Sequence, residues 1–123
     1  MGAWGTGIFE DDRTCDVQDD FNELLDRGQS VEEATALLLG GYLAEVEEFE
    51  DEERQAEESL VYIALAALQL RHRTLQESIR ERTLALLNQG GDLSYWEEAK
   101  KKDYEQRKAV LEELKRKLMK GSL

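Results

Sequence analysis

Three carboxylates, Asp12, Asp16 and Asp19, fall at i, i+4 and i+7, a spacing that gathers them on one helix face. Oxygen ligands of this kind suit hard cations such as Mg²⁺ or Ca²⁺. One convex helix face lacks ligands from the far side of a cation, however, and the D-x-D-x-D-G loop is absent. The row therefore reads as solvated acids matched to the positive end of a helix dipole, then as a partner-facing patch, and last as a metal site. The opening G-A-W-G-T-G has the glycines of a phosphate loop. No strand pattern precedes it, no Gly-Lys-Ser/Thr closes it, and Glu10, Asp11 and Asp12 follow, which would repel phosphate. Cys15 and His72 are the only thiol and the only imidazole. A Cys–His nucleophile needs the two in contact and a third group to orient the ring, and no local pattern supports that. The sequence assigns no catalytic residue and no cofactor.

Composition narrows the remaining classes. The 123 residues suit one domain with one core. Hydrophobic residues make up 41% and charged residues 36%, a globular mixture. The net charge of −12 is unevenly placed: residues 10–58 hold 19 acidic and three basic side chains, residues 59–123 nine acidic and 13 basic. The acidic half should repel nucleic acid and anionic membrane and attract a basic partner. The apolar run from Leu60 to Leu70 is about half of the ~20 residues a spanning helix needs, so it reads as a core helix. A lone cysteine cannot form an internal disulfide, and no signal-peptide pattern is visible, so the expected setting is cytoplasmic.

The elements that must position these groups are helical. Val17, Phe21, Leu24 and Leu25 make one stripe of a helix over 12–27, capped by Asp11 or Asp12 and stopped by Gly28. S-V-E-E at Ser30–Glu33 is a capping box that starts a helix over 30–48. Gly40 and Gly41 inside it point to a kink or a close backbone approach. E-V-E-E-F-E-D-E-E is a solvated bend. A helix over 53–73, apolar on nearly all sides, must be central. Helices over 74–89 and 94–120 follow, the last with a second capping box at Ser94–Glu97 and a seam of Trp96, Val110, Leu111, Leu114 and Leu118. Asp103 and Arg107 share that seam as an i, i+4 surface pair or as a register device. The expected fold is a single all-α bundle of about five helices over residues 1–120, with an irregular N-terminal arm over 1–11 and a frayed tail at 121–123.

The arm has one further signal. M-G-A-W-G-T-G-I-F-E-D-D-x-x-x-D resembles the N-terminus of a bacterial domain-of-unknown-function family that reads W-G-x-G-x-F-x-x-D-x-x-x-D. The matching positions here are Trp4, Gly5, Gly7, Phe9, Asp12 and Asp16. The stretches C-D-V-Q-D-D-F and S-Y-W-E-E are similar to members of that family too. Ile8 stands where proline is common. The resemblance implies a family label and no established activity. From the residues themselves, Trp4, Ile8 and Phe9 read as an apolar plug laid across the bundle, with Trp4 and Phe9 largely buried and the glycines allowing tight turns.

Three functions follow as expectations. The first is a non-catalytic protein-binding module of antitoxin or immunity-protein type. Its contact surface would be Asp16, Asp19, Asp20 and Glu23 on the first helix and Glu47, Glu48, Glu50, Asp51, Glu52 and Glu53 in the acidic bend, facing a basic partner. Mimicry of nucleic-acid phosphates is a variant of it. The second is a homo-oligomer built through the C-terminal helix, and the oligomeric state is left open. The third is a carboxylate metal-dependent enzyme using Asp12, Asp16 and Asp19.

Overall fold

A computed structural model of the chain describes residues 3–120. Residues 121–123, expected to fray, lie outside the described residues. Five α-helices run in order: α1 (Asp12–Asp26), α2 (Val31–Val46), α3 (Asp51–Arg71), α4 (Glu77–Asn88) and α5 (Lys101–Met119), with a 3₁₀ turn at Leu93–Trp96 before α5. The architecture is the expected all-α bundle, and no helix among the described residues is long and apolar enough to cross a membrane.

The helix ends follow from local chemistry. Asp11 caps α1, its Oδ1 accepting from the Thr14 N–H at 2.8 Å. Ser30 and Glu33 form the reciprocal capping box of α2. Gly28 stops α1 in the left-handed region at φ +95°, and the Gln29 N–H reaches back to the Leu24 carbonyl. Arg73 makes the same turn at the end of α3 without being a glycine, at φ +56°. That turn delays α4 to Glu77 rather than Thr74. Gln69 fixes it: its side-chain amide donates to Gln76 Oε1 and accepts from the Gln76 N–H, and it also donates to Thr35 Oγ1 on α2. The one polar break in the apolar run of α3 is thus a fully buried clamp between three elements.

α3 is central because it buries residues on every side. Val61, Leu65 and Leu68 join Val17 and Phe21 of α1 and Leu38, Tyr42 and Val46 of α2. Ile63 and Leu70 join Ile79 of α4 and Leu111, Leu114 and Leu118 of α5. Each such side chain contributes about 1.5–3 kcal/mol by leaving water. α3 therefore has a core on both flanks and separates the α1–α2 pair from the α4–α5 pair.

Two expectations about the chain's second half need correction. The last helix starts at Lys101, not residue 94. Ser94 forms no capping box; L-S-Y-W, Leu93–Trp96, is the 3₁₀ turn, bent so that Trp96 points into the protein. Nor does Arg107 pair with Asp103 at the surface. It is buried and bonds Asp92 at 3.0 Å. At the other junction α3 begins at Asp51, two residues before the expected position, and the bend shrinks to residues 47–50. Three carboxylates, Asp51, Glu52 and Glu53, in its first turn account for the earlier start, since they favour the positive helix end.

Candidate protein-binding face

The N-terminal loop, residues 3–11, decides how α1 sits on the bundle. Ala3 bridges Asp11, and the Trp4 N–H donates to the Glu10 carbonyl at 3.0 Å, so the loop closes on itself. Inside it the Gly7 N–H donates to Glu10 Oε1 at 2.7 Å. A Cβ at Gly5 would lie 2.7 Å from the Glu10 carboxylate, and one at Gly7 closer still. These glycines make room for a carboxylate, and neither takes the left-handed backbone that Gly28 does. Closure turns Ile8 and Phe9 inward to half-burial and leaves Trp4 outside, 62% exposed. The expected plug therefore holds for neither aromatic in full: Phe9 is half in, and Trp4 is out.

A buried hub ties this loop to the far end of the chain. Arg107 Nη1 donates to the carbonyls of Thr6 and Gly7, both at 3.1 Å, while Nε and Nη2 bind Asp92 Oδ1. The indole N–H of Trp96 donates to Asp92 Oδ2 at 3.2 Å. Arg107 and Asp92 are both about 1% exposed. Asp11 is buried nearby; burial raises its pKa, against the lowering effect of its bonds to Thr14 and of the Arg107 charge. Sequence reasoning found Arg107 as an ion on an apolar seam. It missed Asp92 because that partner sits in a turn rather than on the same helix.

A second polar chain underlies the acidic surface. Arg13 Nε donates to Glu57 Oε1 at 2.8 Å, and Nη1 reaches Glu45 at 3.2 Å. The Tyr95 hydroxyl donates to the other Glu57 oxygen at 2.6 Å, and the Tyr42 hydroxyl to Asp20 Oδ2 at 2.6 Å. Burial first, then these carboxylates, push both phenols well above their ordinary value, so they remain donors. Arg13 also lies over the Tyr42 ring at 5.6 Å. The network fixes α1 against the end of α2, the start of α3 and the 3₁₀ turn. None of it shows as a sequence motif, since its members are spread over 83 positions from Arg13 to Tyr95.

On this base stand the predicted contact residues. Asp16, Asp19, Asp20 and Glu23 are exposed on α1; Glu47, Glu48, Glu50, Asp51, Glu52 and Glu53 are exposed at the α2–α3 junction. Arg13 of α1 bridges to Glu45 near the end of α2, and Asp16 and Asp20 of α1 act on Tyr42 of α2, so the acidic side of α1 adjoins the end of α2. The only cations of residues 10–58 are internally engaged: Arg13 as above, Arg27 with Glu23, and Arg54 with Asp51. Among the described residues, Asp12, Asp16, Asp19, Glu47, Glu48, Glu50, Glu52 and Glu53 have no cation partner. No group of three or more His, Cys, Asp or Glu side chains among them is placed to hold a metal ion, so Asp12, Asp16 and Asp19 stand in a row without a cage. The Cys15 S–H donates to the Phe9 carbonyl at 3.2 Å, and burial and then the neighbouring aspartates raise its pKa, which disfavours the thiolate. The His72 ring instead packs on Phe21, with centroids 5.6 Å apart.

No curated protein and no solved structure gives a significant match to the sequence. The profile of a domain of unknown function, DUF4259, matches residues 2–122, and the chain belongs to that family.

Proposed function

We propose that this protein is a non-catalytic binding module that receives a basic protein surface on its acidic α1 and α2–α3 face, in the manner of an antitoxin or immunity protein. The observation that carries this reading is the shortage of internal cations for that face among the described residues. Every arginine within residues 10–58 is engaged, and eight carboxylates still stand open to solvent. Uncompensated like charges repel one another and oppose compaction, and only Asp12, Glu52 and Glu53, each in the first turn of a helix, return something to the fold through the helix dipole. A basic partner would relieve that repulsion and be steered to the face at long range. The same field repels nucleic acid and anionic membrane. The Arg13–Glu57–Tyr95 and Tyr42–Asp20 bonds hold the face rigid, which lowers the ordering cost of binding. A reduced, cytoplasmic setting fits a lone cysteine kept as the thiol.

Affinity capture from the source cell tests this, comparing the wild type with Asp16→Asn/Asp19→Asn/Glu47→Gln/Glu48→Gln. The expected result is a basic protein retained at low salt, released by high salt and not retained by the variant. Capture that is indifferent to both salt and the four substitutions overturns the reading.

A further inference from the structure

Two surfaces of this molecule have no explanation among the described residues. The first is a groove of about 900 Å³ between the N-terminal loop, the end of α3 and α5. Its floor is apolar, made by Ile8, Phe9, Leu70, Val110 and Leu114, with Ala67 and Ala109 facing it from two helices. Its rim carries Arg71, Arg116, Lys117 and Lys120. The one acid there, Glu113, is paired with Arg116. In a protein of net charge −12, this is a cationic site.

The second surface is the outer face of α2. Residues 34–44 carry no charge at all, in a chain that is 36% charged. Ala36, Leu37, Gly40, Gly41 and Ala44 are exposed, Leu37 by 55%. A Cβ at Gly40 or Gly41 would meet nothing within 4 Å. Each glycine costs a helix about 1 kcal/mol relative to alanine, and no close approach among the described residues accounts for them. Exposed Glu32 and Glu33 stand at one end of the uncharged run, and Glu45, Glu47 and Glu48 at the other.

We propose that the groove receives α2 of a second copy of this chain. The lengths agree: residues 34–44 cover about 16 Å at ~1.5 Å per residue, and the stretch of α5 that lines the groove, 109–120, covers nearly the same. The shapes agree as well. Without side chains at Gly40 and Gly41, the α2 backbone can settle between Ala67 and Ala109, with Leu37 as the knob that enters the apolar floor. The charges fix the direction. Glu47, Glu48 and the negative end of the α2 dipole lie against Arg71, Arg116, Lys117 and Lys120. Groove and ridge are different surfaces of one chain, so the contact is head-to-tail, and it closes into a ring or a reciprocal pair or grows. It shares Glu47 and Glu48 with the proposed binding of a basic protein but uses none of the α1 carboxylates, so Asp16→Asn/Asp19→Asn should leave self-association intact while Leu37→Glu abolishes it.

Light scattering and cross-linking test it on the full chain. The wild type is expected to exceed the 14.1 kDa of one chain, with a mass that rises with concentration. Leu37→Glu and Lys117→Glu should each return it to the monomer, with the melt of the wild type measured at concentrations low enough for the wild type to be a monomer too. Mixing Lys117→Glu with Glu48→Lys should restore association, because the reversed groove then meets a reversed ridge. With Cys15→Ser throughout, Ala36→Cys on one tagged chain and Ala109→Cys on another should give a mixed disulfide that neither forms alone. A wild type that stays at 14.1 kDa at millimolar concentration overturns the proposal. So does a disulfide between two Ala36→Cys chains in place of the mixed one, which would mean that α2 packs on α2.

Discussion

The Arg107–Asp92 hub and the acidic face of α1 handle charge in opposite ways. In the hub two ions are almost wholly out of water, and three further groups complete them: two loop carbonyls on the guanidinium and an indole N–H on the aspartate's second oxygen. On the face, acids crowd together in water with no cation assigned to most of them. A buried ion must be satisfied by its own chain, since burial without partners costs several kcal/mol. An exposed ion carries no such requirement. The difference teaches that here the location of a charge, not its chemistry, separates what holds the fold from what is left for another molecule.

Breaking the hub should have the largest effect. Arg107→Met keeps the stem volume but leaves Asp92 buried without its counter-charge and frees the Thr6 and Gly7 carbonyls. The expected loss is about 3–5 kcal/mol, read from urea unfolding. Adding Asp92→Asn should recover part of that loss. If Arg107→Met instead unfolds like a surface variant, the contrast between the two regions fails.

Asp11 stands between the two cases, a buried acid that caps a helix beside the hub. Its folded pKa is raised above the ordinary 3.8, chiefly by burial. A raised carboxyl pKa means that the folded state binds a proton more readily than the unfolded chain does. Its contribution to stability is therefore full below about 3.8 and is lost as pH rises through the raised value. Asp11→Asn keeps an amide oxygen to accept from the Thr14 N–H and removes the proton. The variant should match the wild type within about 1 kcal/mol at neutral pH and lose the wild type's decline over that window. Melting curves from pH 3 to pH 7 read the slope directly. An unchanged slope would place the titration elsewhere.

The sequence disclosed whatever is local. The α1 and α2 caps, the Gly28 stop and the all-round apolar character of α3 need only neighbours a few residues apart, and each is found where spacing puts it. Long-range pairing was hidden. Arg107 reaches Thr6, 101 residues away, and Gln69 clamps Thr35 and Gln76 in a region that reads as an apolar run. Trp4 was misplaced for the same reason. An aromatic residue between glycines reads as a plug, but the turn that rotates it outward depends on Glu10 occupying the space at Gly5 and Gly7. The acidic face was legible as composition. That Asp16, Asp20 and Glu45 gather around Tyr42 was not.

Neutralising the acidic face should have the smallest effect on the fold, and the sign of that effect is informative. Asp16→Asn/Asp19→Asn/Glu47→Gln/Glu48→Gln removes four exposed charges, none of which makes a side-chain bond to the rest of the molecule among the described residues. If these acids stabilised the bundle, the variant would unfold at lower urea. The opposite is expected: the midpoint should hold or rise by well under about 1 kcal/mol, because repulsion is relieved and nothing is broken. The gain should shrink as salt is added, since screening relieves the same repulsion in the wild type over a length of about 10 Å at 0.1 M. A fold that is indifferent or better off without these charges leaves them to be accounted for by what they bind. A clear loss of stability would assign them to the fold and remove the basis of the contrast with Arg107.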